Sequence, residues 1–164
     1  MGDYARATMP RRPRKHLPGR LFHVTARGVA GSTIFVDDED RRRFLLYLEQ
    51  TTRMWKWRVR AWCLMGTHYH LVVEATPEQM SHATHRLGCL YAMYFNRRHD
   101  RRGHLFENRF SSWVINDEDH LGKTIDYVLN NPVNAGMCVD AREWPWSWPR
   151  LPAPVASAKT AAAV

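Results

Sequence analysis

The order in which apolar residues change their spacing restricts this chain more than any single motif. From Leu21 to Ala30 they alternate, with Phe22, Val24 and Ala26 on one side and His23, Thr25 and Arg27 on the other, as in a half-buried strand. Phe44, Leu45, Leu48, Thr52 and Trp55 then recur on one face of a helix, leaving Arg41, Arg42 and Glu49 outside. Asp37 or Asp38 caps that helix, and its acidic first turn suits the helix dipole. Alternation returns over Arg58–Met65, with Val59, Ala61, Cys63 and Met65 on one face. It continues over His68–Ala75, after a Gly66-Thr67 pair short enough to close a hairpin. Pro77 opens a second helix with a stripe of Met80, Ala83, Leu87, Leu90, Tyr91 and Tyr94. Ser112–Ile115 reads as a fourth strand. Asn116 or Asp117 caps a last helix that runs to about Asn131 and is ended by Pro132. The sequence of elements is strand, helix, strand, strand, helix, strand and an extra helix. It predicts an α+β, ferredoxin-like βαββαβ sheet with an additional C-terminal helix.

A chain of 164 residues is sized for one such domain. Residues 1–20 are rich in Pro and Arg without periodicity and read as a basic arm. Residues 21–148 form the domain, and the Pro-, Ala- and Ser-rich tail over 149–164 reads as disordered. No apolar run is long enough to span a membrane, and nothing resembles a signal peptide, so the cytoplasm is the expected location. Cys63, Cys89 and Cys138 are widely spaced, which argues against a disulfide framework and for buried thiols.

The formal net charge of +8 favours a polyanionic partner. The charge is concentrated in two places. Arg6, Arg11, Arg12, Arg14, Lys15 and Arg20 lie in the arm, and Arg97, Arg98, Arg101, Arg102 and Arg109 lie in the loop after the second helix. With Arg27, these clusters are candidate DNA contacts, and the guanidinium fork suits phosphate oxygens.

His68-Tyr69-His70 opens a strand, so both imidazoles point to one face, away from Tyr69, Leu71 and Val73. Two imidazoles that close can share a divalent ion. On the last helix, Leu121, Ile125, Val128 and Leu129 mark the core face. Tyr127 and Asn131 stack one turn apart beside it, in the direction of His120 and Thr124. The Asn131 side chain can cap the helix end or offer an amide oxygen to a metal.

Four stretches taken in order carry a family likeness. They are Ala61 to Glu74, Tyr94 to His99, Gly103 to Phe110, and Tyr127-Val128-Leu129-Asn130-Asn131-Pro132-Val133-Asn134-Ala135-Gly136. His23 to Gly28 and Trp144-Pro145-Trp146-Ser147 extend it over roughly residues 20–150. The chain resembles the single-tyrosine HUH transposases, above all the REP-associated tyrosine transposases. The resemblance implies that His68 and His70 bind a divalent metal ion, Mg or Mn, that Asn131 completes its shell, and that Tyr127 is the nucleophile. The implied partner is single-stranded DNA folded into hairpins, cut and rejoined through a covalent 5′-phosphotyrosine by a monomer or homodimer. A phenol is a weak nucleophile at neutral pH, so a cation beside the phosphate is needed to offset charge in the transition state. Gly66-Thr67 replaces the usual Pro-Asn, and Asn134 replaces the usual Arg; both are expected to bear on DNA preference, without touching a ligand or the nucleophile. The alternative reading is a catalytically silent DNA- or RNA-binding protein derived from a transposase.

Overall fold

The computed structural model describes residues 20–148, so the basic arm, with Arg11, Arg12, Arg14 and Lys15, and the tail over 149–164 lie outside the described residues. Its elements are β1 (Leu21–Arg27), α1 (Asp38–Trp55), β2 (Arg58–Leu64), β3 (His68–Glu74), α2 (Pro77–Arg98), β4 (Ser111–Ile115), α3 (Glu118–Asn134) and a short β5 (Ser147–Trp148). The strands form one antiparallel sheet in the order β4-β1-β3-β2-β5. The expected ferredoxin-like arrangement is therefore present, with β5 added at the edge of β2.

One face of the sheet carries Phe22, Val24, Ala26, Trp62, Leu64, Tyr69, Leu71 and Val73. These are buried with Phe44 and Leu48 of α1 and Met80, Leu87 and Tyr91 of α2. The other face carries Ala61, Cys63, Met65 and Val72, which are buried with Ile115, Leu121 and Val128 under α3. Asp37 caps α1 by accepting from the Asp40 N–H, Thr76 and Gln79 form a capping box on α2, and Asp117 caps α3.

Three expectations change. Val59 shares the first face rather than that of Ala61, because the β2–β3 register shifts between them and the extra residue, Arg60, reverses the alternation. Pro132 does not end α3, which continues to Asn134 before Gly136 takes a positive φ of 68°. A proline this near the end removes only a late hydrogen bond, and its ring is buried. The thiols also differ from one another: Cys63 is buried, Cys138 half-buried and Cys89 exposed.

Gly28 follows β1, and its N–H donates to the Thr67 carbonyl. A Cβ there would lie 2.1 Å from the Ser32 carbonyl oxygen, so no side chain fits. The hydrogen bond to Thr67 ties the end of β1 to the turn that presents His68.

Candidate active site

Pairing of β1 and β3 places Thr25 opposite His70 and Arg27 opposite His68. His23, Thr25 and Arg27 thus share the α3 side of the sheet with both histidines. The His68 and His70 ring centroids are 5.0 Å apart and nearly perpendicular. Each ring has its Nδ1 engaged: Thr67 Oγ1 lies 3.0 Å from Nδ1 of His68, and His23 Nε2 lies 2.9 Å from Nδ1 of His70. His70 is only 6% exposed, and its Nε2 is buried without a partner among the described residues.

The contact from Thr67 corrects the sequence reading of Gly66-Thr67. The residue before the histidine pair does touch a candidate ligand, because the strand entry brings its hydroxyl alongside the next imidazole.

Burial disfavours the imidazolium form at all three rings. It lowers the pKa of His23 to about 4. It lowers that of His70 to about 3, with His23 and His68 adding to the effect. His68 is lowered by burial and then by the charge of Arg27. All three are neutral at neutral pH, the state in which imidazole binds a metal.

Tyr127 stands over this group on α3. Its ring meets His70 edge-on at 5.8 Å and His23 at 6.0 Å, while the residue keeps 51% of its surface in solvent. The tyrosine and histidines of one chain therefore meet. Asn131 lies one turn further on, where its amide nitrogen donates to the Tyr127 carbonyl at 2.8 Å; that bond uses the nitrogen and not the oxygen. Among the described residues no three His, Cys, Asp or Glu side chains form a group that could hold a metal ion. Two imidazoles would need oxygen ligands, from an amide, water or phosphate, to complete a shell. The buried, unpartnered Nε2 of His70 fits such a role.

Sequence reasoning did not assign roles to His23 or Trp113. Trp113 on β4 pairs with His23, lies 5.5 Å from its ring and is 54% exposed. Strand alternation put His23 on the right face, but its partner is 47 residues away. Thr124, expected beside Tyr127, is instead buried and bonds to the His120 carbonyl.

The candidate DNA contacts separate. Arg27 is exposed beside His68, whereas Arg20 lies at the other end of β1, lining a cavity with Arg58, Arg60 and Glu74. Arg97, Arg102 and Arg109 are exposed. Arg101 lies over the Phe95 ring at 5.7 Å. Arg98 is bound to both carboxylate oxygens of Asp37, at 2.8 and 2.7 Å, and to the fully buried Asp40 at 2.6 Å. Its fork joins α1 to α2.

The family described as "Transposase IS200 like" matches residues 21–131. The chain belongs to the IS200-like transposase family. A Haemophilus influenzae protein provisionally named a REP-associated tyrosine transposase is 25% identical over 111 residues, covering 60% of this chain and 62% of that one. This IS200-like chain thus spans less than two thirds of that relative's length. A REP-associated tyrosine transposase solved bound to a REP hairpin is similar in fold, with a TM-score of 0.68 and 18% identity over 85% of this chain and 82% of that one. A structure from Deinococcus radiodurans R1, provisionally named a transposase, gives a TM-score of 0.50 and 16% identity over 74% of this chain and 97% of that one. The Haemophilus protein and the hairpin-bound structure agree with the resemblance to REP-associated transposases seen in the sequence. No helix among the described residues is long and apolar enough to cross a membrane.

Proposed function

We propose that this IS200-like transposase is a metal-dependent endonuclease and ligase of single-stranded DNA, acting on hairpin-forming, REP-like sequences with Tyr127 as nucleophile. The observation that carries this reading is the meeting of an exposed Tyr127 with His70, whose buried Nε2 lacks a partner among the described residues. His68 and His70 would hold the ion, with the Asn131 amide oxygen as a further ligand. A divalent cation such as Mg or Mn supplies Lewis-acid polarisation of a phosphate oxygen.

The hydroxyl oxygen of Tyr127 attacks the scissile phosphorus and gives up its proton to water. The bond from phosphorus to the 3′ oxygen breaks, and that oxygen leaves with a proton as a 3′-hydroxyl. The phosphate stays esterified to the downstream 5′ oxygen and to tyrosine. Attack on this adduct by another 3′-hydroxyl releases Tyr127 and rejoins the strand. Arg27, exposed beside His68, would neutralise a phosphate. The arm over residues 1–20 and the cluster over 97–109 would add sequence-independent affinity.

The test is incubation of the whole chain with 3′-end-labelled single-stranded hairpins and Mn, followed by denaturing electrophoresis. A protein-linked labelled band that disappears in excess chelator is the expected result. Tight DNA binding without an adduct in any metal would leave the silent binding protein as the correct reading.

A further inference from the structure

The surroundings of His70 treat its two ring nitrogens differently. Nδ1 is 2.9 Å from His23 Nε2, while Nε2 is buried and without a partner among the described residues. A neutral imidazole carries one proton, on one nitrogen or the other. If His70 Nδ1 accepted a proton from His23, its own proton would sit on Nε2. A buried donor would then be orphaned, and Nε2 would offer no lone pair to a cation. If Nδ1–H donates instead, the Nε2 lone pair is available and a cation satisfies it.

We propose that His23 is a positioning residue that accepts the Nδ1–H of His70 and so holds that ring in the tautomer that turns Nε2 toward a divalent cation. The inference rests on the proposed metal site and adds a residue behind it, the arrangement by which metal-binding imidazoles are commonly fixed.

His23 is well placed to stay still. Its strand is hydrogen-bonded on both sides, to β3 and to β4. Its ring lies nearly parallel to that of His70, with centroids 5.1 Å apart, between Trp113 at 5.5 Å and the edge of Tyr127 at 6.0 Å. The same assignment bars His23 from taking the Tyr127 proton, because its one lone pair is used and its Nδ1 already carries a hydrogen.

The experiment uses the full chain, its His23→Leu and His23→Gln variants, and Mn alone as the probe. Titration calorimetry reads Mn affinity, and long-range nitrogen–proton NMR of histidine-labelled, metal-free protein reads the His70 tautomer. Wild-type His70 should carry its proton on Nδ1. His23→Leu should weaken Mn binding by about 10–100-fold. His23→Gln, whose amide oxygen can accept the same proton, should recover most of that loss, whereas a purely structural role would leave the two variants alike. Unchanged Mn affinity in folded His23→Leu, or a wild-type His70 protonated on Nε2, would overturn the proposal. Wild-type protein whose Mn binding is independent of both His68 and His70 would overturn the metal site and this role with it. Normal Mn binding with the wrong tautomer would overturn the role of His23 alone. If His23→Leu fails to fold, the wild-type tautomer and the affinity of His23→Gln still decide.

Discussion

The two faces of the sheet differ in how completely they are covered, and β1 shows both. Phe22, Val24 and Ala26 are 0–5% exposed beneath α1 and α2, among interlocking rings such as Phe44 and Tyr69 at 4.7 Å. The residues between them, His23 and Thr25, are half-buried and Arg27 is exposed. On that second face α3 covers only a small cluster around Val72, Leu121 and Val128. The imidazoles, Tyr127 and Trp113 stand where this cover ends. Two helices make a face that holds the fold. One helix leaves polar groups dry enough to remain neutral and open enough to meet a substrate.

Exchanging damage between the faces tests that division. Tyr127→Phe removes one hydroxyl from an exposed side chain, so it should abolish the covalent adduct while leaving DNA affinity and melting temperature unchanged. An adduct formed normally by this variant, seen on a denaturing gel, would remove Tyr127 from the chemistry. Phe44→Ala on the other face should cost roughly 3–5 kcal/mol of stability in denaturant unfolding, with adduct formation per folded molecule retained. Loss of chemistry in folded Phe44→Ala would mean that the faces are not separable.

Trp113 marks the border. Its ring packs on His23 yet is half in solvent, as expected of a platform for an unpaired base. Trp113→Ala should weaken binding of single-stranded DNA by about 1–3 kcal/mol, with little effect on duplex DNA. Equal losses on both substrates in fluorescence anisotropy would reassign Trp113 to packing.

The uncovered face should also be the acid-sensitive one. Unfolded imidazoles take up protons near pH 6.5. Folded His23 resists until about pH 4 and folded His70 until about pH 3. Below about 6.5 the unfolded state thus binds more protons, and stability falls with pH. Metal-free protein should melt progressively lower from pH 6.5 to 5, before carboxylates titrate. A flat melting temperature across that window would show that the imidazoles are not buried in their neutral form.

Much of this division could be read from the sequence, because alternation is a local property. Phe22, Val24 and Ala26 opposite His23, and Tyr69 opposite His68 and His70, required only the strand period. The Tyr127 helix and its Asp117 cap were equally local. What escaped depends on partners distant in the chain. The bulge at Arg60 appears only in the pairing of β2 with β3, and the link between His23 and His70 needs β1 and β3 side by side. Arg98 looked like its neighbours until Asp37, the cap of α1, and Asp40 within that helix were brought against it. Charge composition identifies a cation but not whether it already has a partner.

That last point gives the smallest expected effect, one that separates arginines the sequence treats alike. Arg98 is a tie between α1 and α2, holding the Asp37 carboxyl well below the usual carboxylate range and meeting a carboxylate on Asp40 that is fully buried. Arg98→Ala should lower the melting temperature while leaving the salt dependence of DNA binding unchanged, since a guanidinium gripped by two carboxylates has little left for phosphate. Arg109 is exposed in the loop that leads into β4. If it contacts a phosphate, binding releases a counterion, and Arg109→Ala should flatten the log-affinity versus log-salt slope on single-stranded DNA by about 0.7 without changing stability. Paired salt titrations and thermal melts of the two variants check both halves. A slope change in Arg98→Ala as large as that in Arg109→Ala would show that DNA outcompetes Asp37 and Asp40, and would extend the binding surface beyond the face that carries Tyr127.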